Sequence, residues 1–377
     1  MNIGFTLFDY FPFGGLQRDC VKIAEHCVQH GHRVTIFTRT WEGERPAGVG
    51  VELFGRRGWT NVSRNRHWLK QLAATLPQRG LDGIAGFNKM PGLDVYYGAD
   101  PCFVARMAKN KPRWYRWLPR YRHFAELERS VFAGVDGAQI MLIAPRDKSV
   151  YQQIYGTGER FHFLPPNAAR RSFTESQRLE ARDNTRRDNH WPGDERIALH
   201  VGSDFRRKGV DRAILALASL HEPLRRQTRL VILGKGDPAR FTRLAGSLGV
   251  ADHVHFLGGR LDAPDWMLAA DFMIHPAQSE NTGTTLVEAL ASGLPVLATD
   301  VCGFAFHVAQ AEAGIVLTSP FDQAACNRAF AEMLNPISTT KWRAGALAYA
   351  AHEDIYGCHE RAAEIIEETI RRKLAAK

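Results

Sequence analysis

The chain has 377 residues and a net charge of +9, with 45% hydrophobic and 24% charged residues. Its length is sufficient for two domains that each bury a core, and its composition is ordinary for a globular protein. No stretch approaches the roughly 18 uninterrupted apolar residues of a membrane-spanning helix, which excludes such a helix.

The positive charge, the cysteines and the amino terminus limit the classes of function. A basic chain calls for an anionic partner, and the candidates are nucleic acid, an anionic membrane or a phosphorylated substrate. The six cysteines form no CxxC pair and no zinc spacing, and Cys20 and Cys27, on one helical face, are expected to be buried thiols instead of a disulfide, which fits a reducing cytoplasm. The opening "MNIGFTLFDYFPFGG" lacks a basic leader, and Asp9 and Pro12 interrupt it, so we expect a core strand there instead of a signal peptide.

The first half of the chain alternates apolar runs with amphipathic segments. A helix is predicted at 16–31, because its apolar residues share one face, and Gly31 ends it. Buried strands are predicted at 3–8, 33–38, 82–87, 95–100 and 138–144. Strands that alternate with helices indicate a parallel sheet covered on both faces.

A proline-marked junction, "FLPPN" at 163–167, precedes a polar stretch (170–195) and a second alternating series. Strands are predicted at 196–202, 228–234, 253–258, 271–277, 295–299 and 314–317, with helices at 209–220, 263–270 and 284–292. The pattern predicts an α/β protein of two Rossmann-like domains facing a cleft, residues 1–166 and 167–355. We expect a C-terminal helix within 356–377 to pack back on the first domain. Such folds bind ligands at the carboxyl ends of their strands.

Two loops join a predicted strand to a predicted helix. In "FPFGGLQRD" (11–19), Gly14 and Gly15 permit close backbone approach at a helix amino terminus, which suits a phosphate or a sugar; the alternative is an ordinary tight turn. The loop is not a GxGxxG motif, which disfavours nicotinamide binding. In "VGSDFRRKGVDR" (201–212), Arg206, Arg207 and Lys208 precede Gly209. That position favours a diphosphate site over a solvated basic loop.

A third stretch, "SENTGTTLVEAL" (279–290), places Glu280 and Glu288 eight residues apart. Glu280 follows a predicted strand, the N–H groups of Thr282 to Thr284 lie at a helix start, and Glu288 comes about one turn later. A carboxylate that accepts two hydroxyl hydrogens suits a sugar diol. The same spacing recurs at Glu44/Glu52, in an expected irregular loop, and at Glu360/Glu368, in a charged helix. We interpret both of those pairs as surface residues.

Positive charge is concentrated between Arg106 and Arg122, where seven basic residues alternate with aromatic ones and no acidic residue occurs. This pattern favours peripheral attachment of 103–125 to an anionic membrane. The expected membrane contacts are Arg106, Lys109, Lys111, Arg113, Trp114, Arg116, Trp117 and Arg120. A solvated face with its aromatics in the core is the alternative. Single-stranded nucleic acid is a further alternative, but no nucleic-acid-binding module is present, and we expect no nucleic-acid partner.

The two domains, the basic loop and the E-x7-E pair resemble retaining glycosyltransferases of the GT-B architecture, which use nucleotide sugars. More narrowly, the chain is similar to the lipopolysaccharide core glucosyltransferase I family over essentially its whole length. The similar stretches are "FPFGGLQRD", "WEG" (41–43), "GFNKMPGLDVYY" (86–97), "YRHF" (121–124), "VGSDFRRKGVDR" and "GLPVLATDVCGFAFHVA" (293–309). The resemblance implies transfer of glucose from UDP-glucose to an inner-core heptose, with retention, as an α-1,3 linkage. Another UDP-sugar or acceptor, or a nucleotide-sugar epimerase, remains open.

The resemblance also implies roles for individual residues. Arg207 and Lys208 would neutralise the diphosphate, Glu280 would hold glucose hydroxyls and Glu288 the ribose. The expected donor-binding set is Gly14, Gly15, Arg171, Arg206, Arg207, Lys208, Arg260, Glu280, Asn281, Thr282, Gly283, Thr284 and Glu288. Asp19 and Lys89 are expected on the acceptor side. Asp100, Lys208 and Glu280 are the catalytic candidates, although Asp100 stands where many broader relatives have histidine, and it could be a catalytic helper, an acceptor ligand or structural.

The sequence lacks the D-x-D motif with which many glycosyltransferases hold a metal. We therefore expect no metal or other cofactor, with Lys208, an arginine and helix-start N–H groups stabilising the departing UDP. The acceptor that the resemblance implies is the membrane-anchored lipopolysaccharide inner core. We accordingly expect a peripheral protein on the cytoplasmic face of the inner membrane.

Overall fold

The structure, a computed structural model, describes residues 1–12 and 14–376. It divides into two units, one formed by Met1–Pro165 with Gly357–Lys377 and the other by Pro166–Tyr356. Phe13, which lies within "FPFGGLQRD", falls outside the described residues.

The first unit is built on a seven-stranded sheet whose paired strands are all parallel. The strands of the whole unit, in chain order, are β1 (Asn2–Thr6), β2 (Asp9–Tyr10), β3 (Arg33–Thr38), β4 (Thr40–Trp41), β5 (Val49–Leu53), β6 (Gly83–Gly86), β7 (Val95–Gly98), β8 (Gln139–Leu142) and β9 (Phe161–Phe163). The sheet order is β5-β3-β1-β6-β7-β8-β9, and β2 and β4 form a separate ribbon. Its helices are α1 (Gly15–Gln29), α2 (Asn61–Thr75), α3 (Phe103–Asn110), α4 (Pro119–Phe132) and α5 (Asp147–Tyr155).

The C-terminal helix (Cys358–Ala375) belongs to the first unit. Its apolar face, which includes Ala362, Ile366 and Ile370, packs into the same core as Cys20 and Ile23 of α1. Gly83 in β6 permits this contact, because a Cβ at that position would lie 2.4 Å from the Ile370 side chain. The helix therefore supplies one wall of the first unit's core.

The second unit carries a six-stranded sheet whose strand pairs are also all parallel. Its strands are β10 (Arg196–Val201), β11 (Thr228–Leu233), β12 (Val254–Gly258), β13 (Phe272–His275), β14 (Val296–Thr299) and β15 (Gly314–Leu317), in the order β12-β11-β10-β13-β14-β15. Its helices are α6 (Glu175–Asp188), α7 (Val210–Ala218), α8 (Glu222–Arg226), α9 (Ala239–Ser247), α10 (Ala263–Ala269), α11 (Thr284–Ala291), α12 (Ala305–Gln310), α13 (Gln323–Glu332) and α14 (Pro336–His352). The direction of strand progression reverses between β10 and β13, and ligands of open α/β sheets bind at such a switch point.

These sheets confirm the predicted α/β class with parallel strands. One local expectation was wrong, because Glu52 lies in β5, paired with β3, not in an irregular loop. The polar stretch 170–195, for which no element was predicted, contains α6. All six cysteines are buried, and Cys20 and Cys27 are thiols in the core, as predicted. Within residues 1–12 and 14–376, no helix combines the length and the apolarity that crossing a membrane requires.

Candidate functional site

The loops after β10 and β13 meet at the carboxyl ends of these adjacent strands. Gly209 makes the contact possible, because it adopts φ +77°, and a Cβ there would lie 2.1 Å from the carbonyl oxygen of Pro276. Only glycine fits both the backbone angle and the space. The approach brings Lys208, at the end of one loop, onto Glu280 in the other, where the ammonium and carboxylate form an ion pair.

Glu280 is the centre of this site. Its side chain is only 9% exposed, and besides Lys208 it lies 3.5 Å from Nη1 of Arg207 and accepts the backbone N–H of Asn281 at 3.0 Å. Arg207 also donates to the carbonyl of Ser279 at 3.1 Å and pairs with Asp204 at 3.0 Å. The site thus holds two cations and one buried carboxylate on two adjacent loops.

Two buried histidines beneath this pair were not predicted from the sequence. The rings of His200 in β10 and His275 in β13 stack with centroids 5.4 Å apart, and Nε2 of His275 lies 3.8 Å from Glu280. Burial lowers the pKa of His200 to about 4 and that of His275 well below its usual value, with nearby Lys208 contributing to both shifts. Both rings are therefore neutral near pH 7. The sequence feature that could have indicated them is that each of these two otherwise apolar strands has a histidine near its carboxyl end.

The surroundings of Lys208 act on its pKa in opposite directions. Glu280 favours the protonated ammonium, whereas burial and the adjacent Arg207 charge disfavour it. The unfavourable effects prevail, and the pKa of Lys208 is lowered to about 8. Small changes of pH above neutrality therefore change the charge of this site.

The segment from Glu280 to the start of α11 is fixed by its neighbours. Gly283, with φ +81°, precedes the helix, and the carbonyl of Thr282 accepts the N–H of Phe304 at 2.7 Å. A Cβ at Gly303 would lie 2.1 Å from the carbonyl oxygen of Asn281, so that glycine, which was not predicted, lets the two segments pack. Thr284 begins α11, and Glu288, half-buried, is its fifth residue. The carboxylate is thus placed one turn into the helix, as the sequence predicts.

Three further arginines of the predicted donor set make other contacts or face solvent. Arg171 pairs with Asp265 of α10 at 3.2 Å, and Arg260 pairs with Asp262 two residues later at 2.5 Å. Arg206 is exposed on the loop that carries Lys208. The structure therefore brings Arg207, Lys208, Glu280 and Asn281 together, and it places Arg171 and Arg260 in separate ion pairs.

The predicted residues of the first unit occupy varied settings. Gly14 is the residue before α1 and Gly15 its exposed first residue, with open space where a Cβ would stand on Gly15. Asp19 accepts the hydroxyl of Tyr97 at 2.9 Å and lies 2.8 Å from Nε2 of His359.

Lys89 and Asp100 lie near the carboxyl end of β7. Lys89 pairs with the fully buried Glu128 and donates to the carbonyl of Pro101 at 3.3 Å. Asp100 is exposed just after β7, and its carbonyl accepts the hydroxyl of Tyr151 at 3.1 Å. Asp19 and Lys89 therefore take part in internal contacts that stabilise the unit, and their acceptor role stays a prediction.

The basic segment 103–125 forms α3, a 3₁₀ turn (Arg113–Trp117) and the start of α4. Every predicted basic contact in it is exposed, and Trp114 and Trp117 are 62% and 68% exposed. Tyr121 and Phe124 differ, because they are half-buried against Phe103 with ring centroids 5.6 and 5.7 Å away. The two tryptophans thus present apolar surface beside the cations.

The chain is similar to known glycosyltransferases over nearly its whole length. Residues 181–344 match the family model described as glycosyl transferases group 1. The chain is 40% identical to the lipopolysaccharide glucosyltransferase WaaG of Escherichia coli (strain K12) over 369 residues, which covers 97% of this chain and 98% of that protein.

Solved structures agree with this comparison. The crystal structure of WaaG, a glycosyltransferase involved in lipopolysaccharide biosynthesis, superposes with a TM-score of 0.83 at 39% identity and covers 97% of this chain and 99% of that chain. The sucrose-phosphate synthase of Thermosynechococcus elongatus, at 18% identity and full coverage of both chains, has a TM-score of 0.74 and shares the fold. The predicted GT-B fold class is confirmed.

Proposed function

We propose a donor, an acceptor and a stereochemical course for this chain, which belongs to the family of the lipopolysaccharide glucosyltransferase WaaG and is a glycosyltransferase. It transfers glucose from UDP-glucose to a heptose of the lipopolysaccharide inner core and retains the anomeric configuration in an α-1,3 linkage. The observation that supports this proposal best is the ion pair of Lys208 and Glu280 at the carboxyl ends of β10 and β13.

The pair suits a sugar diphosphate because Lys208 and Glu280 can each replace their mutual contact by a contact with the ligand. A diphosphate offers Lys208 and Arg207 anionic oxygens in place of the buried carboxylate, and charge-assisted contacts of this kind are among the strongest hydrogen bonds in proteins. Glu280, once released from the ammonium, can accept hydroxyl hydrogens from the glucose. Neither ion is then left buried without a partner, which would be strongly unfavourable.

The start of α11 supplies the rest of the donor site in this proposal. The backbone from Asn281 to Thr284 lies at the positive end of the helix dipole, where an anion is favoured. Glu288, one turn further on, accepts the two hydroxyl hydrogens of the ribose. Glycosyl transfer leaves negative charge on departing UDP, and we assign its stabilisation to Lys208, Arg207 and these N–H groups, without a metal.

A product analysis tests the proposal. Purified protein is incubated with UDP-glucose, UDP-galactose or UDP-N-acetylglucosamine and a heptose-containing core acceptor, with and without EDTA. We expect one added hexose from UDP-glucose, α-1,3-linked to heptose, at a rate that EDTA does not change. Preferred use of another UDP-sugar, a β linkage, or loss of activity in EDTA that Mg²⁺ restores would contradict the corresponding part.

The pH dependence of kcat/KM for UDP-glucose should follow Lys208. Stabilising the departing diphosphate needs the protonated ammonium, whose pKa in the free protein is about 8. We therefore expect a plateau below that pH and a decline as the pH rises through it. The arginine of the Lys208→Arg protein keeps its charge throughout this range. The kcat/KM of this variant, even if lower than that of the unaltered protein, should therefore stay constant up to at least about pH 9.5. Parallel profiles for the two proteins would assign the decline to another group.

We further propose that 103–125 holds the protein on the cytoplasmic face of the inner membrane, where its acceptor is anchored. The proposal is supported by exposed cations beside exposed Trp114 and Trp117. Each basic residue near an anionic surface contributes about 1 kcal/mol, so replacing Arg113 and Arg116 by Gln should weaken liposome binding about 30-fold.

Flotation with anionic liposomes measures this effect. The matched control replaces Arg57 and Lys70, exposed basic residues of the same unit outside the segment, by Gln. It should float with the liposomes as well as the unaltered protein does. If both double variants weaken binding equally, the effect depends on the net charge of the protein and not on segment 103–125. If the unaltered protein does not bind the liposomes, the proposed attachment is wrong.

A further inference from the structure

A second basic cavity lies at the opposite edge of the second unit's sheet. It is lined mainly by α6, the first turn of α14 and the amino ends of two strands, and its volume is about 250 Å³. Arg196 is the first residue of β10, and Asp271 immediately precedes β13. Lys208 and Glu280 follow the carboxyl ends of these same strands, so a strand length, about 13–20 Å, separates the two places.

The cavity contains more positive charge than its carboxylates balance. Its acidic residues are Glu175 and Asp271. Its four arginines are Arg178, Arg182, Arg196 and Arg343. Asp271 is fully engaged, because it pairs with Arg196 at 3.4 Å and with the buried Arg186 at 2.8 Å, and it accepts the N–H of Ile197. Glu175 pairs with Arg178.

Two of these guanidinium groups lack a close carboxylate within the cavity. Arg182 donates to the carbonyl of Gly193 at 2.9 Å, and its nearest carboxylate, that of Asp183, is 3.7 Å away and largely exposed. Arg343 has a buried Nη1 with no hydrogen-bond acceptor among the described residues. Burial and the charges of Arg178 and Arg182 lower the pKa of Arg343 to about 10, although the charges of Asp271 and Glu175 act in the opposite direction. The two carboxylates are already paired with other arginines and offset these charges only in part, so a further anion would stabilise the cluster.

The helix geometry points the same way. Pro336, Thr339 and Thr340, from the first turn of the 17-residue α14, line the cavity. The amino-terminal end of a helix carries positive partial charge and favours an anion. Guanidinium forks match the oxygens of a phosphate in pairs, and four arginines against two carboxylates leave an excess of two positive charges, which suits a dianion better than a single carboxylate.

We propose that this cavity binds a phosphate group, at a site separate from the one formed by Lys208 and Glu280. The ligand is either a soluble phosphate ester or inorganic phosphate, or the phosphate headgroup of a lipid. The site does not depend on the proposed glucosyl transfer, because none of its residues belongs to the donor or acceptor sets.

Titration calorimetry with inorganic phosphate tests the proposal, against chloride at equal ionic strength. The Lys208→Ala protein serves as background, so that the donor site does not contribute. We expect one site per chain, and a loss of affinity of about tenfold or more on adding Arg182→Gln or Arg343→Met. Arg328→Gln, an exposed arginine of α13 in the same unit, is the control and should change nothing.

A second arm distinguishes the source of the phosphate, with vesicles that contain phosphatidic acid in place of the soluble anion. Vesicle binding that falls with Arg182→Gln, without binding of free phosphate, would identify a lipid headgroup. Arg182→Gln carries the test if Arg343→Met fails to fold. Absence of binding in both arms, or equal binding by the cavity variants and Arg328→Gln, would overturn the proposal.

Discussion

Replacement of Lys208 by alanine is expected to lower kcat/KM for UDP-glucose by at least about 10²-fold. The ammonium is the closest cation to Glu280, and in the proposed reaction it takes up negative charge on the departing diphosphate. Arg207 remains after the substitution but lies 3.5 Å from Glu280 and is shared with Asp204, so it replaces Lys208 only in part. Most of the loss should appear in kcat, because the charge develops as the bond to UDP breaks.

Two controls accompany this measurement. Lys341→Ala removes an exposed lysine from the same unit and should leave kcat/KM unchanged. Circular dichroism and thermal unfolding establish that the Lys208→Ala protein is folded, because the substitution leaves Glu280 buried without its nearest cation. A folded Lys208→Ala protein with near-normal turnover would remove Lys208 from the proposed site.

Replacement of Glu288 by alanine should also lower kcat/KM by about 10²-fold or more. A carboxylate that accepts two hydroxyl hydrogens contributes roughly 1.5–3 kcal/mol for each bond. Since the ribose is bound both before and during the reaction, the loss should fall mainly on KM. Glu288→Gln should recover part of it, because the amide oxygen can still accept one hydrogen.

The matched control for Glu288 is Glu368→Ala. Glu368 is the second member of a pair with the same E-x7-E spacing, but it lies on the exposed face of the C-terminal helix, where it pairs with Arg361 and Arg372. We expect no loss of activity from this variant. Equal effects at the two positions, or an unaltered KM for Glu288→Ala, would show that the ribose contact is wrongly assigned.

The sequence was most informative where apolar runs are continuous. β10 and β13 are buried on both faces, so the sequence shows continuous apolar runs at 197–199 and 272–274, with polar residues near both ends of each strand. β5 was missed because Gly50 and Glu52 interrupt "VGVEL", and its strand conformation depends on pairing with β3. α6 was missed because it is strongly polar, although Thr174 and Gln177 form a capping box that marks its start.

The candidate site was predictable in part for the same reason. The carboxyl ends of parallel strands share one edge of a sheet, so the loops of Lys208 and Glu280 could be placed near each other in advance. What could not be foreseen is that these two side chains pair, or that His200 and His275 stack beneath them. Such contacts depend on side-chain directions and on close backbone approach, as at Gly303.

The C-terminal helix makes the first unit discontinuous in the chain. The second unit is encoded by one uninterrupted stretch, Pro166–Tyr356, whereas the first needs residues from both termini. During synthesis, all residues of the second unit are polymerised before Ile366 and Ile370, which cover α1 and β6. The unit that is begun first is therefore completed only after the second, and its apolar face stays uncovered until the helix that carries Ile366 and Ile370 has been added.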